Sequence, residues 1–64
     1  MNHHQQLAVQ RIRETLSPDN QLAVFTARRV VTVRCEEPTR RRYYSIAESG
    51  QISLLRSQTT GETL

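Results

Sequence analysis

A chain of 64 residues and 7.4 kDa holds one domain, because chains divide into domains only at several times this length. Nine Arg, no Lys and six carboxylates leave a formal charge of +3, and the apolar share is 36%, below that of an ordinary globular chain, so the core has to be small. A domain of this size buries only about 60% of the surface its unfolded chain exposes, which leaves little margin for a shaped, water-excluded cavity and excludes most enzymes.

Asn2 followed three residues later by Gln5 has the form of a capping box, with Asn in the Ser/Thr place and its side chain free to accept from the orphan amide of Gln5. The spacing predicts a helix over 3–16. At about 100° per residue Gln5, Ala8, Val9, Ile12 and Leu16 gather on one stripe, whereas Leu7, Gln10 and Glu14 fall on the other side. Pro18 disfavours the α conformation in Ser17, and Ser17-Pro18-Asp19-Asn20 supplies turn formers in succession, so the helix ends near Ser17. A competing reading has Ser17 cap a second short helix with Pro18 in its first turn, running into Leu22 and Phe25.

From Gln21 to Cys35 the apolar period changes to two. Ala23, Phe25, Ala27, Val31, Val33 and Cys35 occupy odd positions, with Thr32 and Arg34 between the last of them. The pattern fits one long strand, or two with a break at Arg28-Arg29. The reading adopted is a single strand over 22–35 whose odd side faces the core in its second half, leaving Val24 and Val30 on the far side.

Glu36-Glu37-Pro38-Thr39-Arg40 is a turn, because Pro38 cannot donate to a ladder and so many charges resist burial. Two further strands follow over 41–47 and 51–57. A two-residue Ser49-Gly50 loop between them scatters the apolar residues over both faces. A three-residue loop, with Gly50 in the left-handed position of a G1 bulge, pairs Ile46 with Ile52 and Tyr44 with Leu54 on one face, satisfying glycine and pattern together. The preceding hairpin joins odd apolar positions to even ones, so its loop has an even number of residues, either Pro38-Thr39 or 38–41.

The predicted architecture is α+β: an N-terminal helix packed on a three-stranded antiparallel β-meander (α-β-β-β), followed by a polar C-terminal tail over 58–64. Helix followed by three antiparallel strands resembles the opening of the double-stranded-RNA-binding domain. That family continues into a lysine-rich second helix, whereas this chain has no Lys and a Thr-rich tail, so no residue role is carried over.

Cys35 is the single cysteine and cannot form a disulfide within the chain, which points to a reducing compartment. No apolar run approaches the roughly 20 residues that cross a bilayer, and positions 1–6 are polar, without the basic start and apolar stretch of a signal peptide. The expected location is cytoplasmic, with no membrane contact.

Charge concentrates in the middle of the chain, where six Arg between positions 21 and 44 face Glu36 and Glu37. With the strands in the register above, Arg34 and Tyr43 point away from the helix, as do Thr32, Ser45 and Arg41. Guanidinium groups beside an aromatic ring on a sheet face can neutralise phosphates and stack on a base, or meet an acidic protein surface, or keep a small β protein soluble. The candidate contact residues are Arg28, Arg34, Arg40, Arg41, Arg42, Tyr43 and Leu55, the last an apolar group left over from the core.

His3 and His4 point about 100° apart on a helix with no acid or thiol at i+4, so no metal site is expected there. Cys35 lacks a neighbouring base and is read as a buried thiol. Glu36 and Glu37 splay apart in their turn and pair locally with arginines instead of sharing a proton. No catalytic, metal or cofactor motif emerges. The expectation is a small non-enzymatic binding protein acting through a protein–protein interface, with a protein partner or a second copy: an accessory subunit, adaptor or inhibitor of the kind phages and plasmids encode. The alternative is a nucleic-acid-binding or nucleoprotein-associated module using an Arg/Tyr sheet face. No cofactor and no small-molecule substrate are expected.

Overall fold

The first helix, α1, spans His3–Glu14 and starts where its cap requires. Asn2 Oδ1 accepts from the Gln5 amide at 2.8 Å, and the Asn2 amide donates to Gln5 Oε1 at 3.0 Å, closing a reciprocal capping box. The structure is a computed structural model that describes residues 1–59. The helix stops at Glu14, short of the predicted Leu16. Thr15 caps it and its hydroxyl donates back to the Ile12 carbonyl at 2.7 Å, while the Leu16 amide turns to the Arg13 carbonyl in a tightened last turn. Gln5, Ala8, Val9 and Ile12 form the buried face, and Leu16 packs beside them half-buried.

Four strands follow, not three: β1 Gln21–Ala27, β2 Val30–Glu36, β3 Arg40–Ile46 and β4 Ile52–Thr59, antiparallel in the order β1-β2-β3-β4. The single strand predicted over 22–35 is a hairpin. Arg28 and Arg29 both adopt positive φ, 51° and 69°, and turn the chain between the paired residues Ala27 and Val30 in the manner of a type I′ turn. Left-handed backbone at a residue other than glycine costs on the order of 1 kcal/mol. The seven-pair β1–β2 ladder offsets it, and the Arg29 carbonyl accepts from the Gln5 side chain at 2.8 Å.

This turn inverts the parity of the chain. Because Ala27 pairs with Val30, odd positions of β1 share a face with even positions of β2. Val24 therefore lies opposite Val33 and packs against the core, and Phe25 is turned outward at 50% exposure.

The other two hairpins follow the predicted registers. Val31 pairs with Ile46 and Val33 with Tyr44, with Pro38-Thr39 at the loop tip inside a Glu37 amide to Arg40 carbonyl bond of 2.8 Å. Ile46 pairs with Ile52 and Tyr44 with Leu54 around Glu48-Ser49-Gly50, where Gly50 has φ of 91°. A β-bulge then shifts the register, so that Tyr43 pairs with Arg56 and Leu55 has no partner opposite it. The strand continues to Thr59, so the first two residues of the predicted tail are β structure, and positions 60–64 lie outside the described residues.

The helix lies on one face of the sheet and buries Val31, Val33, Cys35 and Ile46 against Ala8, Val9 and Ile12. Its N-terminus is held by the β3–β4 loop: Asn2 Nδ2 donates to the Glu48 carbonyl at 2.9 Å, and a methyl group at Gly50 would come within 3.0 Å of the His4 carbonyl oxygen. Gly50→Ala therefore combines left-handed strain with a backbone clash, and thermal denaturation is expected to show a loss of about 2 kcal/mol or more. A loss under about 0.5 kcal/mol would contradict the described loop–helix contact. Among the described residues no helix is long and apolar enough to cross a membrane.

Candidate functional site

The face of the sheet opposite the helix is uncovered. Across it, Arg34 on β2 pairs with Tyr43 on β3, and Tyr43 with Arg56 on β4. The Arg34 guanidinium lies over the Phe25 ring at 5.6 Å and that of Arg56 over the Tyr43 ring at 4.8 Å, within cation–π range. Rings and guanidinium groups thus alternate over four strands as Phe25, Arg34, Tyr43 and Arg56. Burial pushes the Tyr43 phenol up, but hydrogen bonding from Arg56 and Arg41, together with their charges, outweighs it and holds the phenol below its ordinary value.

The candidate contact residues do not come together in one patch. Arg34, Arg41 and Tyr43 face outward as expected. Arg42 sits on the helix side, stacked at 5.9 Å over Tyr44, and pairs with Cys35 across the ladder. Arg40 shares that parity, Arg28 belongs to the β1–β2 turn, and Leu55 is the bulge residue, 57% exposed.

Glu36 and Glu37 splay to opposite faces. Glu36 receives Arg41 Nη2 at 2.9 Å and Arg34 Nε at 3.4 Å, and Glu37 receives Arg40 Nε at 3.0 Å and Arg42 Nη2 at 3.3 Å. Each such pair is worth at most about 1 kcal/mol at this exposure, but together they engage four of the candidate guanidinium groups. Phe25 and Arg56 join the outer face unforeseen. The first is hidden by the parity inversion at Arg28-Arg29, and the second by the bulge that substitutes it for Leu55 opposite Tyr43.

On the helix side a second surface is open. Ile46 is fully buried, yet on the same face Ile52 is 37% and Leu54 57% exposed, because the helix stops short of β4. Every described residue of β4 is exposed, and among the described residues its outer edge has no partner strand. Its sequence ISLLRSQT contains no Pro and three large apolar residues, so among the described residues the edge is blunted by the bulge and the single charge of Arg56.

Between α1 and the sheet runs a groove of about 260 Å³, lined mainly by Ile12, Leu16, Cys35, Tyr44 and Ile52, with Arg11, Thr15 and Arg42 completing it. This is smaller than the roughly 300 to 1,000 Å³ of small-molecule sites and suits one or two inserted side chains.

Cys35 is 1% exposed, and burial pushes its thiol pKa up, with Arg42 pulling it down and Glu37 adding to the rise. The thiol is protonated at neutral pH, so native protein is expected to resist iodoacetamide and to react once unfolded; rapid alkylation of the native chain, read by mass, would contradict this. Because the folded value is raised, the contribution to stability is complete below the ordinary thiol pKa and is lost as pH rises through the folded one. The difference in denaturation midpoint between wild type and Cys35→Ala should therefore shift against wild type as pH rises on the alkaline side, a comparison in which the opposite contribution of Tyr43 cancels.

His3 and His4 lie side by side at the helix start, ring centroids 6.2 Å apart, and among the described residues no three of His, Cys, Asp and Glu gather in a way that could hold a metal ion. Compared with known proteins, the chain matches no family model, no curated protein and no solved structure.

Proposed function

We propose that the chain is a small non-enzymatic binding protein that acts through β4 and the groove beside it, as an adaptor, accessory subunit or inhibitor of a protein partner. The observation that carries this reading is the contrast across one sheet face: Ile46 is 0% exposed, while Ile52 and Leu54 on the adjoining strand stand at 37% and 57%, with the bulge residue Leu55 next to them at 57%. Apolar groups that a fold with so small a core leaves in water are stabilised by a partner that covers them. An open edge strand beside an apolar groove suits an extended segment that adds a fifth strand and inserts a side chain between α1 and β3. Engagement of Arg40 and Arg42, the arginines of the helix side of β3, by Glu37 supports protein over phosphate as the ligand of this side.

The test is affinity capture from native lysate with the wild-type chain and with the double variant Leu54→Lys/Leu55→Lys, whose circular dichroism should match wild type because both positions are exposed. A stoichiometric partner, or a second copy of the chain, is expected on wild type, little affected by salt, and absent from the variant. Retention by the variant, or a free monomer by light scattering with nothing bound, would overturn the reading.

A further inference from the structure

We infer that the outer face of the sheet is a binding platform for single-stranded nucleic acid, separate from the β4 groove and on the opposite side of the molecule. Its elements are Phe25, Arg34, Tyr43 and Arg56, placed on successive strands β1 to β4. Phe25 is half exposed and adds nothing to the buried core, whose members lie on the other face. Phe25, opposite Thr32, and Tyr43, opposite Arg34, stand two strands apart and two residues offset along them, roughly 12 Å, with Arg34 on the strand between them. That arrangement sets a guanidinium group between the two rings, where connecting phosphates pass. A base stacking on either ring takes the place of the guanidinium that lies over it, Arg34 on Phe25 and Arg56 on Tyr43, which turns to the phosphate.

Charge favours an anionic ligand: Arg34, Arg41 and Arg56 share this face with Glu36 as the one carboxylate among the described residues of the strands' outer side. Shape favours a single strand, because the major groove of a duplex admits at most a two-stranded ribbon and this face is four strands wide. An acidic protein segment would satisfy the arginines but make no use of the half-exposed Phe25 ring, so the rings tip the balance to nucleic acid. Glu36 acts as an internal competitor for the ligand, since its two oxygens hold Arg41 at 2.9 Å and Arg34 at 3.4 Å.

The experiment is fluorescence anisotropy with a labelled oligothymidylate of about 12 nucleotides, titrated at two salt concentrations against wild type, Phe25→Thr, Arg56→Gln and Glu36→Gln. Wild-type binding is expected at low salt, with log affinity falling by about 2 per log unit of salt if three guanidinium groups each meet a phosphate. Phe25→Thr should weaken binding at least about fivefold, the lower end of one lost base stack. Arg56→Gln should weaken it and flatten the salt slope. Glu36→Gln should strengthen it by freeing two arginines, a gain that misfolding cannot produce. Absence of binding at low salt, indifference to Phe25→Thr, or equal competition by polyglutamate of matched charge would overturn the proposal. Leu54→Ser/Leu55→Ser, which removes the same apolar groups without adding charge, keeps the rings and is expected to bind the oligonucleotide as wild type does, so this proposal and the β4 reading fail separately.

Discussion

Gln5→Ala is expected to lower stability by about 3 kcal/mol. The side chain is 2% exposed and does three jobs: Nε2 donates to the Arg29 carbonyl at 2.8 Å and to the Ile46 carbonyl at 3.2 Å, and Oε1 accepts from the Asn2 amide at 3.0 Å. It therefore ties the helix cap to the β1–β2 turn and to the end of β3. Truncation removes the donor for two carbonyls and half of the capping box, at about 1 to 3 kcal/mol for a buried group left unpaired and about 1 for a cap. In a domain whose whole stability is a few kcal/mol this brings the midpoint of urea unfolding close to zero denaturant. The exposed Gln10, on the far side of the same helix, is the control, and Gln10→Ala should leave the midpoint in place. Equal behaviour of the two variants would mean that the Gln5 tie contributes nothing.

Ile46→Ala is expected to cost about 2 to 5 kcal/mol, the range for a fully buried aliphatic side chain whose cavity cannot collapse. Leu54→Ala, on the same sheet face one strand away, should cost under about 1 kcal/mol because Leu54 is 57% exposed. The pair reads out where the helix stops covering the sheet. Similar losses for both would place β4 inside the core, and the uncovered surface would vanish.

Much of the fold is legible in the amino-acid order because local physics dictates it. The Asn2/Gln5 box and the Gly50 bulge loop each follow from a residue with one good conformation, the stripe from Gln5 to Ile12 follows from helical spacing, and parity narrows the Pro38 loop to two lengths, of which the structure takes the shorter. The Arg28-Arg29 turn is different. The interruption of the apolar pattern at Arg28-Arg29 admits a break there, but neither residue favours left-handed backbone, so nothing local demands a tight turn; the ladder it closes makes up the cost. Reading straight through that turn keeps odd residues on one face, which puts Val24 outside and gives Phe25 the parity of the core, the reverse of the observed faces. The strand count falls short by one for the same reason.

Of the expected contact set, Arg34, Arg41 and Tyr43 reach the outer face because the β2–β3 register is fixed by its loop. Arg56 was missed because a bulge at Leu55 is an added residue with no compositional mark. Arg40 and Arg42 fall to the other side by the same alternation that places Tyr44 there. The groove was out of reach of pattern reasoning, since it depends on how far a short helix extends across a sheet one strand wider than expected.

The most direct measurement on the central claim is amide hydrogen exchange of the chain alone and in its captured complex. The β4 amides that face away from β3 should exchange freely in the isolated chain and become protected in the complex, together with residues lining the α1 groove. Strong protection of the whole of β4 in the free chain, or a complex that protects other segments and leaves β4 open, would contradict the account.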